Sequence, residues 1–209
     1  MYDDITGIIL SGGKSKRMGV NKALLKIGNE TLIERAGNLM SGLFRKVLLI
    51  TNTPEEYSFL RLETFEDIYK NVGPLAGIHS GLFHSLTEKN FIIACDMPFI
   101  NRELIEFIIN YKTDKHITIP NAEGSTQQLC GVFSKSILTD IERLIKENLL
   151  INNEQEYRKN ISFKVQHLFQ SISTEIIDIE AKFDKYKKGM FLNVNQKDDF
   201  EVAIKRFNE

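Results

Sequence analysis

Cysteine is almost missing from this chain. Cys95 and Cys130 are the only two, and nothing resembles the paired spacings that hold zinc or frame a secreted disulfide scaffold. Both thiols are expected to pack as small apolar side chains in a reducing compartment. A charge excess is also missing: 27 Lys and Arg stand against 28 Asp and Glu, for a formal net charge of -1. That balance excludes a protein whose whole surface grips nucleic acid, so any basic site must be local. The N-terminus reads Met1-Tyr2-Asp3-Asp4, the wrong sign for a secretion signal, and the apolar run after it is too short to span a bilayer. The cytoplasm is the expected compartment, with no membrane partner. His79, His84, His116 and His167 lack metal-ligand spacing and are expected at the surface or in the core. No repeat, low-complexity tract or interdomain linker breaks the 209 residues, so a single domain over 1–209 is the expectation.

What is present is an alternation of strand and helix signals. Ile5 to Leu10 is a short β-branched run that ends in Ser11-Gly12-Gly13, which predicts a buried strand feeding a loop to about Asn29. Thr31 and Glu34 have capping-box spacing, and Leu32, Ile33, Ala36, Leu39, Met40 and Leu43 follow with helical periodicity. Val47 to Ile50 predicts the next strand, and Thr53-Pro54 with Glu56 predicts a cap and a short helix. A short strand near Thr64 and Phe65, a helix after Gly73-Pro74-Leu75-Ala76-Gly77, and a strand at Phe91 to Ala94 come next. Asn101 predicts a further helix cap, Ile117 to Ile119 and Leu129 to Phe133 further strands, and Ile137 to Ile145 a helical face. Residues 161–169 and 200–207 read as helices, and 175–179 as a strand. Such alternation implies an α/β fold: a mostly parallel central sheet with helices on both faces. Ligands of such sheets sit beyond the carboxyl ends of the strands, where Gly12-Gly13 and Asp96 both fall.

The strongest local asymmetry lies between Ile5 and Asn29, which carries Lys14, Lys16, Arg17, Lys22 and Lys26 without one acidic residue. Gly12, Gly13 and Gly19 allow backbone N–H groups to turn toward an anion, and the cations neutralise it. Together they describe a polyanion cradle. It is neither the Walker A loop nor the G-x-G-x-x-G dinucleotide fingerprint.

The stretch from Leu10-Ser11-Gly12-Gly13-Lys14-Ser15-Lys16-Arg17-Met18-Gly19 to Lys22-Ala23-Leu24-Leu25 resembles the L-x-G-G-x-S-x-R-M-G signature of the molybdenum cofactor guanylyltransferases, the MobA family. Three later segments agree in order. They are Asp67 followed by Gly73-Pro74-Leu75-Ala76-Gly77, then Cys95-Asp96-Met97-Pro98-Phe99, then Phe191-Leu192-Asn193-Val194-Asn195. The resemblance implies a Rossmann-like nucleotidyltransferase fold that transfers GMP from GTP to Mo-molybdopterin with release of pyrophosphate. It also implies contact with other proteins of molybdenum cofactor biosynthesis. It makes Asp96 the Mg2+ ligand and Arg17, Lys22 and Asp96 the catalytic set. For the nucleotide it points to Leu10, Gly12, Gly13, Lys22, Asn52, Asp67 and Asp96.

Asn193 and Asn195 are implied on the pterin side. Plain alternatives stand beside these roles. Asp96 could shape the turn before Pro98, Asn52 could be a turn residue, Asp67 a solvated acid, and the two asparagines could hold their own loop. Asn21 stands where the family commonly has aspartate, Gln196-Lys197 where it has Thr-Pro, and Gln127-Gln128-Leu129 where Q-P-L or H-P is usual. The rival readings are CMP transfer to the same pterin, a sugar-phosphate nucleotidyltransferase, or a nucleotide-binding protein without catalysis.

Overall fold

The computed structural model describes residues 1–12, 21–154 and 165–208. Gly13, Lys14, Lys16, Arg17 and Gly19 lie outside them, as do residues 161–164 of the helix expected over 161–169. In chain order the elements are β1 (Tyr2–Leu10), β2 (Lys26–Ile27), β3 (Glu30–Thr31), α1 (Leu32–Leu43), β4 (Phe44–Ile50), β5 (Glu63–Phe65), α2 (Pro74–His84), β6 (Lys89–Ala94) and α3 (Arg102–Ile109). They continue with β7 (Ile117–Ala122), β8 (Ser125–Thr126), β9 (Cys130–Ser134), α4 (Leu138–Glu154), α5 (Val165–Ser171), β10 (Thr174–Asp178), α6 (Ile179–Lys182) and α7 (Lys197–Phe207). Single-turn 3-10 segments cover Lys22–Leu24 and Lys135–Ile137, and a longer one covers Pro54–Leu60. No helix among the described residues is long and apolar enough to cross a membrane.

The main sheet has the order β10-β7-β9-β6-β1-β4-β5. The pairs β6-β1, β1-β4, β4-β5 and β7-β10 are parallel. β9 runs antiparallel to both of its neighbours, β6 and β7. The two-residue β8 also pairs antiparallel with β7, so the sheet is mostly parallel along its main path, with β9 as a reversed strand that the apolar composition of Leu129 to Phe133 does not reveal.

Alternation along β1 sends Ile5 and Ile9 into one core with α1 and α3, where Met40, Leu43, Leu104 and Ile108 pack. Ile8 and Leu10 point to the opposite core with α2, α4 and α5, where Ile78, Leu82, Ile141 and Leu168 pack. Both faces of the sheet are covered, as period-two side-chain alternation in a doubly wound fold requires.

The capping box at Thr31 forms as the spacing predicts. Glu34 N–H donates to Thr31 Oγ1 at 3.2 Å, and Thr31 N–H donates to Glu34 Oε2 at 2.7 Å. The Thr31 hydroxyl also donates to Glu34 Oε2 at 2.7 Å, and these two bonds from Thr31, backbone first, hold the Glu34 carboxyl below its ordinary value. Asn101 caps α3 by accepting from Leu104 N–H at 3.0 Å. Thr53 differs from expectation: its side chain makes no capping bond, and the segment after it is a 3-10 helix. The closing helix starts earlier than expected, at Lys197, where the Asp199 carboxylate in its first turn accepts Gln196 N–H at 2.8 Å.

Candidate functional site

Strand register assembles the site. Leu10 lies level with Ile50 on one side and Ala94 on the other, and Ile50 lies level with Phe65. The residues that follow, Ser11-Gly12, Thr51-Asn52, Glu66-Asp67 and Cys95-Asp96, therefore leave the sheet along one edge. Backbone bonds carry the alignment one step further: Ser11 N–H to Ile50 O at 2.9 Å, Thr51 N–H to Phe65 O at 2.9 Å, and Cys95 N–H to Leu10 O at 3.1 Å. Four parallel strands thus present their carboxyl ends together, the position where open α/β sheets bind ligands.

Two side-chain groups occupy that edge. In the first, Lys22 Nζ forms an ion pair with Asp96 Oδ2 and donates to Asn195 Oδ1 at 3.0 Å. Asp96 is buried to 8% exposure, and its other oxygen, Oδ1, has no hydrogen-bond partner among the described residues. A buried carboxylate oxygen without a donor is costly unless something else fills its coordination. Val194 N–H donates to Asp96 O at 2.9 Å, which fixes the C-terminal loop against the end of β6. Asp199 Oδ2 accepts from Asn195 N–H at 2.9 Å and Gln196 N–H at 2.8 Å. Asn193 turns instead to its own loop, donating from Nδ2 to Phe191 O at 3.1 Å.

The second group lies at the ends of β4 and β5. Asn52 Nδ2 donates to Asp67 Oδ2 at 2.6 Å, and Asp67 N–H donates to Asn52 Oδ1 at 3.2 Å. Lys70 Nζ also reaches Asn52 Oδ1, at 2.9 Å. Burial raises the Asp67 carboxyl above its ordinary value, against the opposing pull of the Asn52 hydrogen bond and Lys70. Gly77 forms the floor beside it: a methyl group there would stand 3.3 Å from Leu10 Cδ2 and 3.8 Å from Asp67 Oδ1. Gly73 caps α2 at φ +77 and ψ -157, a conformation open essentially to glycine alone. A methyl group on Gly12 would meet no described atom within 4 Å.

The remaining polar candidates are not nucleophiles. Burial pushes the Cys95 thiol up to about 12, with the Asp96 charge adding to it, and burial does the same to Cys130. Among the described residues, no three His, Cys, Asp or Glu side chains converge on a metal position. Asp96 is the candidate carboxylate, and a hard cation that shares one carboxylate with substrate phosphates needs no larger protein cage.

The description "MobA-like NTP transferase domain" matches this sequence over residues 7–159. The chain belongs to that family. A probable molybdenum cofactor guanylyltransferase of Clostridium perfringens (strain 13 / Type A) is 38% identical over 202 residues, 95% of each chain. One of Carboxydothermus hydrogenoformans is 34% identical over 206 residues, 98% of each chain. In fold the chain is similar to the crystal structure of molybdopterin-guanine dinucleotide biosynthesis protein A from Archaeoglobus fulgidus, with TM-score 0.78, 23% identity, and 97% and 98% of the two chains covered. This MobA-like transferase is a nucleotidyltransferase with the Rossmann-like fold that the motifs imply.

Several contacts at the edge of this MobA-like transferase are not legible in its sequence. Asn21 Nδ2 donates to Glu56 Oε2 at 2.7 Å and to Tyr57 OH at 2.8 Å, and Ser11 Oγ donates to the same phenol at 3.0 Å. Asp199 was findable, since Gln196 and Asp199 have capping-box spacing. Tyr57 carries no motif, Glu56 is legible only as part of the cap pattern after Thr53, and only the return of the chain after β4 brings them to Asn21.

Proposed function

We propose that this enzyme transfers GMP from GTP to Mo-molybdopterin, forming the molybdopterin guanine dinucleotide and releasing pyrophosphate. The observation that carries the reading is the buried Asp96 at the end of β6, paired through one oxygen with Lys22, which also reaches Asn195. A phosphate oxygen of the pterin attacks the α-phosphorus of GTP in line as the bond from that phosphorus to the bridging oxygen of the β-phosphate breaks. No covalent enzyme intermediate is needed, so the protein's task is to position and to neutralise.

Asp96 is the residue that would hold Mg2+, since its Oδ1, without a described donor, suits a hard cation. When bound, the ion neutralises charge at the α-phosphate and the leaving pyrophosphate. Lys22 places a compact positive charge beside the same phosphates. Arg17 is assigned to the same task from its place in the basic loop, together with the backbone of Gly12 and Gly13. At the second group, Asp67 accepts from the donor edge of guanine while Asn52 orients its carboxylate and Leu10 and Gly77 give a flat apolar surface. Asn195 forms the wall facing the pterin, and Asn193 shapes the loop that carries it.

Thermal unfolding with each nucleoside triphosphate tests base choice. GTP with Mg2+ is expected to raise the melting temperature more than ATP, CTP or UTP does. Equal shifts for all four, or a larger one for CTP, would reject guanine as the preferred base and leave the fold untouched.

A further inference from the structure

Lys22 begins a one-turn segment whose geometry is set from elsewhere in the chain. Asn21, just before it, accepts Ala23 N–H on Oδ1 at 3.1 Å and so caps the turn. Both hydrogens of the Asn21 amide are also committed, one to Glu56 Oε2 at 2.7 Å and one to Tyr57 OH at 2.8 Å. The Tyr57 ring is 3% exposed and belongs to the core under β1. Its hydroxyl also takes Ser11 Oγ, the first side chain beyond β1, at 3.0 Å. One phenol thus fixes the residue that leaves the sheet and the residue that caps the Lys22 turn.

We propose that Tyr57 and Glu56 are positioning residues for Lys22, acting through Asn21. The inference rests on the reading of Lys22 as a phosphate-binding cation. A lysine side chain has four rotatable carbons, and holding it at Asp96 and Asn195 costs rotamer entropy. Fixing the backbone from which it springs removes one source of that disorder. The pairing also accounts for Asn21 where the resembled family commonly has aspartate. An aspartate has no N–H to give Glu56, so two carboxylates would face each other at hydrogen-bond distance. Asparagine donates to both acceptors and still caps the turn.

The first readout needs no activity. In the nucleotide-free protein, labelling of Lys22 by an amine-reactive ester is followed by peptide mass spectrometry, with exposed Lys197 as internal reference. The ratio of Lys22 to Lys197 labelling is expected to rise about threefold or more in Tyr57→Phe and in Asn21→Asp, the scale of one or two lost hydrogen bonds. It should return toward the wild-type value in Asn21→Asp/Glu56→Gln, where the facing carboxylate is gone. An unchanged ratio in Tyr57→Phe, or a double variant no better than Asn21→Asp, overturns the proposal.

The second readout is GMP transfer. Tyr57→Phe is expected to lower kcat/KM for GTP about threefold to tenfold in a chain with Lys22, and to add nothing in a Lys22→Ala background. An equal fall in both backgrounds overturns the proposal, because Tyr57 would then act independently of Lys22. If labelling shifts as expected but the wild-type protein transfers no GMP, the functional reading fails while the positioning of Lys22 stands.

Discussion

At Asp96 the two carboxylate oxygens have different surroundings. Oδ2 is tied to Lys22, while Oδ1 is buried and bonded to no described donor. Asparagine at this position keeps the size and can still accept from Lys22, but it removes the charge that attracts a hard cation. Asp96→Asn is therefore expected to remain folded and to lose about a hundredfold or more in Mg2+-dependent transfer, since even the outer partners of metal ligands are worth 10–100-fold. Circular dichroism with a Mg2+ titration of activity checks both halves. Transfer at the wild-type rate would remove Asp96 from the metal role.

Asp96 and Lys22 were legible because each sits inside a recognisable local pattern. Their meeting was not: Lys22 and Asp96 stand 74 positions apart and the contact from Lys22 to Asn195 spans 173, and no periodicity encodes contacts that form only when distant loops fold onto one sheet edge. The commitment of Asn193 to Phe191 was equally silent, because an asparagine amide reads the same whether it faces a ligand or its own loop.

Among the elements, α2 links the nucleotide edge to the outer layer. It starts at the Gly73 cap and runs buried through Leu82 against α4. Its His79 is 1% exposed, with Nε2 at 3.3 Å from Glu142 Oε1 and the Tyr69 ring edge-on beside it. Burial lowers the His79 value below the ordinary 6.5, and Glu142 only partly opposes that. His84, on the same helix, is lowered for the same reason, and Lys146 on α4 adds to the effect at His79.

Between the folded and unfolded values the unfolded chain binds more protons, so stability is full above about pH 6.5 and falls as pH drops below it. The wild-type melting temperature is expected to fall between about pH 7 and pH 5.5, and that of His79→Gln to fall less over the same range. Identical slopes would show that His79 is not a source of the loss. The helices themselves were readable from spacing, Thr31 with Glu34 above all. The direction of β9 was not read from its composition, although a signal exists: residues 123–129 are too few for the helical crossover that a parallel neighbour of β7 requires.

At the scale of the whole molecule, the register that aligns Leu10, Ile50, Phe65 and Ala94 depends on a sheet that continues through the reversed strand. Gly131 on β9 is the tightest contact there: a methyl group would lie 2.3 Å from Thr118 O and 2.8 Å from Ile119 Cγ2 on β7. The first of these is backbone and cannot rotate away. Gly131→Ala is expected to destabilise the protein by roughly 1–3 kcal/mol or more, as overpacking does in a close-packed core. Urea unfolding measures it, and a loss under about 0.5 kcal/mol, the range of neutral surface changes, would contradict the described register.

On the proposed function, this molecule joins a guanylyl group to a pterin phosphate. The direct measurement offers Mo-molybdopterin and Mg2+ with each of the four nucleoside triphosphates in turn and identifies the product by mass spectrometry while counting pyrophosphate. The predicted result is the guanine dinucleotide of molybdopterin with one pyrophosphate per product, formed from GTP in clear preference to the others. A cytosine dinucleotide formed preferentially from CTP, or nucleotide bound without any pyrophosphate released, would contradict it.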